Sequence, residues 1–139
     1  MKPEIINQEK IAYEPKKENR FVVEFPDGFN IPKYVVKSAT YPKCIFGEMG
    51  VEWEPITFRM YDPVAPSTSQ ALHELILTTD LQPFEVQLKT LGPVGDVVEH
   101  WKLIDCKIKC IDFGNTDWAI DTDREITVTI KSKNCQLQF

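Results

Sequence analysis

The sequence predicts a mainly β (α+β) fold: an antiparallel barrel or sandwich with one flanking α-helix and two long hairpins. Three observations carry this. Apolar and polar residues alternate with a period of two in one stretch after another, Pro and Gly separate those stretches, and a single segment shifts to the helical period. The chain has 139 residues, 42% hydrophobic and 27% charged, so it can bury an ordinary core and is not expected to be disordered throughout.

Positions 1–18 read as an extended N-terminal arm, and positions 19–139 as a single β domain. The arm is polar and charged, with Pro3, Pro15 and a Lys16-Lys17-Glu18-Asn19 cluster, and offers little to hold it down. Ile5, Ile6, Ile11 and Tyr13 are its apolar exceptions and could anchor it to a neighbouring chain.

The domain opens with Phe21, Val23 and Phe25 alternating with Val22 and Glu24, and a turn follows at Pro26-Asp27-Gly28. The β-branched and aromatic run Tyr34–Tyr41 predicts a strand that stops at Pro42. Cys44–Gly50 holds two glycines and reads as a loop, and Val51–Tyr61 as a second long strand closing a hairpin over 34–61. Residues 66–79 then switch period. Ser67 and Gln70 have the spacing of a capping box, and Ala71, Leu72, Leu75, Ile76 and Thr79 form one apolar stripe of a helix.

Phe84, Val86 and Leu88 alternate with Glu85, Gln87 and Lys89. The turn Leu91–Gly95 leads into Val97–Ile104, a second hairpin over 84–104. The strand continues with Ile104, Cys106, Ile108 and Cys110 expected on one face and Asp105, Lys107 and Lys109 on the other. Turns at Gly114–Asp117 and Asp121–Asp123 precede a last strand, Ile126–Ile130. The alternation runs almost to Phe139, so the C-terminus should be built into the sheet.

The residue pattern supports no catalytic or metal site. His73 and His100 have no nucleophile or orienting carboxylate at a recognisable spacing. Cys106 and Cys110, four residues apart on a strand, lie about 13 Å from each other. A disulfide needs Cα atoms within about 7 Å, so they read as small buried apolar residues. Cys44 and Cys135 are the candidates for an intersubunit disulfide. Asp117, Asp121 and Asp123 lack the glycine and terminal Glu of a calcium loop. Phosphate-loop, dinucleotide, zinc-protease and serine-hydrolase motifs are all missing. The expectation is a non-enzymatic protein without cofactor or metal. A net charge of -5 argues against sequence-independent DNA binding. No apolar run reaches the ~18–20 residues of a membrane span, and Met1–Ile6 lacks a secretory core, so synthesis in the cytoplasm is expected.

The order of elements, taken with Asn19–Phe25, Thr40-Tyr41-Pro42, Trp101-Lys102-Leu103, Cys110–Gly114 and Glu125–Ile130, resembles the tail tube proteins of contractile-tailed phages. These have relatives in phage-like injection systems and the type VI secretion tube. The resemblance implies a virion structural protein assembled in the host cytoplasm. Six copies would form a ring, the two hairpins of each would join an inter-subunit barrel, and rings would stack into a hollow tube inside a contractile sheath. Sheath, tape-measure and baseplate proteins would be its partners, with DNA in transient passage and no membrane. Ile5, Ile6, Tyr13, Cys44, Ile45, Phe46 and Met49 would make the contacts between copies. Lys37, Glu52, Glu54, Glu85, Gln87 and Glu99 are candidate lumen residues on an acidic or neutral lining. A tube-initiating baseplate subunit, a secretion-tube ring protein and a small β-barrel ligand carrier remain the alternatives.

Overall fold

The computed structural model describes residues 14–78 and 80–139, so Ile5, Ile6, Ile11, Tyr13 and Thr79 lie outside the described residues. Its strands are β1 (Phe21–Glu24), β2 (Val36–Ala39), β3 (Cys44–Gly47), β4 (Gly50–Trp53), β5 (Ile56–Tyr61), β6 (Phe84–Leu91), β7 (Val97–Asp112), β8 (Glu125–Lys131) and β9 (Asn134–Leu137). The helix α1 (Thr68–Leu77) lies between β5 and β6. Every strand pair is antiparallel, in the order β1-β6-β7-β8-β5-β2, with β9 also on β7 and β3–β4 as a separate ribbon. This is the predicted fold class.

Alternation built the core. Ile56, Phe58 and Met60 of β5, Val86 and Leu88 of β6, and Ile126, Val128 and Ile130 of β8 all face inward with almost no exposure. Each such side chain contributes roughly 1.5–3 kcal/mol of burial. Phe25 meets Phe58 edge-to-face at 5.4 Å, and Phe29 meets Phe84 at 4.7 Å.

β7 turns this sheet into a barrel-like wrap. Its first half is sandwiched between β6 and β9, while Lys107–Asp112 pair with β8. Three register shifts fall on it, one at its start opposite Thr90 and Leu91 and two that bend its second half. Phe84↔Cys106 and Val86↔Leu103 leave one extra residue on β7, near Asp105 at φ 53, and Ile108↔Ile130 followed by Cys110↔Thr129 leaves another. Each bulge reverses the in-out parity. The four-residue apolar face expected from Ile104 to Cys110 is therefore broken: Cys106 is buried, Cys110 is exposed, and Ile111 turns back toward the core.

The helix begins as predicted. Ser67 Oγ accepts the Gln70 amide at 3.2 Å, although the return bond from the Gln70 side chain is not formed. Ala71 and Leu72 are buried and Leu75 is partly so, but Ile76 is half exposed, so the apolar stripe is narrower than expected. The short helix packs on the 3-10 turn Asp27–Phe29 and does not span a sheet face. Near the C-terminus the sheet continues past β9, through Gln138 N–H to His100 O and His100 N–H to Phe139 O. No described helix is long and apolar enough to cross a membrane.

Candidate assembly surfaces

The segment expected to be a loop, Cys44–Gly50, is the tip of a β-ribbon, and the long strand Val51–Tyr61 is two strands. Pro55 has no N–H to continue the ladder, and Glu54 N–H closes the ribbon base on Lys43 O at 2.9 Å. Gly47 pairs with Gly50, whose φ of 113° favours glycine at this turn. The ribbon is held to the body at its base. Trp53 lies edge-to-face on Trp101 at 6.3 Å, and Lys131 Nζ donates to Trp53 O.

Beyond the base, the ribbon's apolar side chains meet water. Phe46 is 84% exposed, Met49 fully exposed, and Ile45 and Val51 about half exposed. A two-stranded ribbon is marginal alone in water; the partners Phe46 and Val51 share one exposed face and Ile45 lies on the other beside Glu52, and exposed apolar surface of this kind marks an interaction site. Cys44 is half-buried beside this patch, opposite Trp53. Val51 was missed from the sequence because the apparent long strand concealed the ribbon. Cys135 is buried with its thiol against Ser132 Oγ at 3.1 Å, so as folded it cannot reach another chain.

The sheet also ends in open edges. Among the described residues β1 pairs only with β6, β2 only with β5 and β9 only with β7, leaving backbone donors and acceptors on the far side of each. Between β1 and β2 the wrap stays open as a groove of about 540 Å³, lined by Glu18, Phe21, Lys37, Ala39, Tyr41 and Leu88 among others. Tyr41 hydrogen-bonds Thr90 across its inner side.

The lumen candidates fall on different surfaces. Glu85 and Gln87 share the polar face of β6 with Lys89, opposite Lys102 and His100 of β7. Glu99 has the parity of Trp101 and Leu103, and so lies on the face that carries the core. There it accepts from the Trp101 indole at 3.0 Å and pairs with Lys16, a described residue of the predicted arm. Lys37 and Arg59 converge on Glu125, whose carboxyl these two cations hold below the usual range. Glu52 is exposed on the ribbon, and Glu54 follows it. An exposed Trp118 in the loop after β7 had no sequence pattern to announce it.

One buried charge ties the helix to the barrel. The Asp62 carboxylate, 5% exposed, accepts from Ser69 N–H at 3.1 Å, Ser69 Oγ at 2.6 Å and Arg124 Nη2 at 2.5 Å. Burial opposes its ionisation, but the bonds from Ser69 and Arg124 outweigh burial and hold its pKa below the ordinary value. The depressed folded pKa means this tie is complete above the unfolded value of about 3.9 and is lost as pH falls through the folded one. Asp62→Asn is expected to be less stable at pH 7 and to lose less further stability on acidification to pH 3. Urea midpoints across that range check this; parallel curves for variant and parent would refute it.

The amino-acid sequence matches no protein-family model and no curated protein. Its structure matches solved ones closely. A chain of the sheath-tube complex of an extracellular contractile injection system (PVC) superposes with TM-score 0.67 at 16% identity, covering 94% of this chain and 96% of that one. A chain of the PVC sheath/tube terminator gives TM-score 0.69 at 12% identity, with 92% and 99% covered. An Hcp protein from Flavobacterium johnsoniae gives 0.59 at 13% identity, with 86% and 94% covered. The chain has the fold of contractile-injection tube proteins.

Proposed function

We propose that this chain is a non-enzymatic structural subunit that builds a tube. Its copies form hexameric rings that stack inside a contractile sheath, in a phage tail through which DNA reaches the host cell. One observation carries this reading: a subunit with the tube fold holds out an apolar ribbon whose tip residues Phe46 and Met49 are exposed among the described residues. The free edges of β1, β2 and β9 support it, because pairing between copies removes such edges. Sheath, tape-measure and baseplate proteins are the partners that this role requires. In the proposed arrangement residues 1–18 act as an arm between copies of the 19–139 domain, and Ile5, Ile6 and Tyr13 contact a neighbour.

The polar face of β1, β6 and β7 suits a conduit. Glu24 and Glu85 balance Lys89 and Lys102 there, with Gln87 between them. A lumen lined by this face is near neutral and does not hold a polyanion.

A terminating ring is the second reading, favoured by the likeness to the PVC terminator and to the anti-feeding prophage tube cap, the latter at TM-score 0.67. Electron microscopy of purified protein separates the two. Stacked tubes are expected for a tube subunit and single rings for a terminator, whereas a strict monomer at high concentration removes both.

A further inference from the structure

Resting on the reading as a self-assembling subunit, we propose that the Phe46–Met49 tip of one copy docks in the groove between β1 and β2 of the next. The groove presents Phe21, Ala39, Tyr41 and, at its floor, the buried Leu88. At about 540 Å³ it is of the size that takes a small ligand, and so a pair of large side chains. Its two walls are the free edges of β1 and β2, which offer main-chain pairing to an incoming strand. Among the described residues β3 and β4 pair only with each other, so the ribbon brings outer edges of its own.

Charge restricts the fit. Glu48 at the ribbon turn meets a groove that carries both Lys37 and Glu18, so it must enter on the Lys37 side. Lys37 can turn to Glu48 because Arg59, bonded to Glu125 through Nε at 2.9 Å and Nη2 at 2.7 Å, keeps that carboxylate paired. The tip does not fill the groove of its own subunit, since Phe46 and Met49 remain exposed. Knob and groove are different surfaces, so the contact is head-to-tail and propagates into a ring or a stack.

Disulfide trapping tests the docking. Met49→Cys and Ser38→Cys are made separately in a chain that also carries Cys44→Ser and Cys110→Ser. Mixed under mild oxidation, the two chains are expected to shift from monomer to a reducible dimer, well beyond either chain alone or a mixture of Met49→Cys with Val94→Cys. Rings or tubes that form without this cross-link overturn the docking and leave the assembly reading standing. A parent chain that stays monomeric under the microscope overturns the assembly reading, and the docking with it.

Discussion

Replacing Phe46 and Met49 together with Asp is expected to leave the subunit folded and abolish its assembly. Both side chains are largely exposed among the described residues, so stability should stay within about 0.5 kcal/mol of the parent. In an interface, buried apolar anchors of this kind contribute roughly 2 kcal/mol or more each. Losing both weakens each contact by on the order of a thousandfold, and carboxylates add a desolvation cost in the same direction. Sedimentation and thermal melting measured together check this. Assembly that survives the double substitution, or a subunit that unfolds because of it, contradicts the role assigned to the ribbon.

The largest effect on stability is expected from Phe58→Ala. Phe58 is fully buried, lies between Ala39 and Val128 in the register and packs on Phe25. Truncating a core Phe costs about 3–5 kcal/mol, against a total of about 5–15 kcal/mol for a domain. Cys110→Ala, on the exposed side of the bulge against β8, should change stability by less than about 0.5 kcal/mol. Urea denaturation of the two variants checks both values. A large loss at Cys110 would restore the unbroken apolar face that the sequence suggests.

These variants also mark where the sequence was legible. Phe58 sits in Ile56–Tyr61, where alternation is regular and the neighbours follow the same period, so local pattern and tertiary burial agree. Ser67 announced its cap because the chemistry is local: a hydroxyl three residues from a free amide. Cys110 misled because a bulge is a property of two paired strands, and only the count against β8 reveals the extra residue. Cys44–Gly50 misled for a related reason. Its glycines mark a turn, but whether the flanking residues pair depends on a base built by Trp101 and Lys131, far away in the chain.

The fold class, the core faces of β5, β6 and β8, the helix start and the inclusion of the C-terminus in the sheet were determined by the sequence itself, because each follows from short-range periodicity or capping. The tertiary structure alone decided which apolar residues stay uncovered, which strand edges stay unpaired and where the groove between β1 and β2 opens. Those are properties of strand order, and strand order is set by long-range pairing that no local pattern encodes.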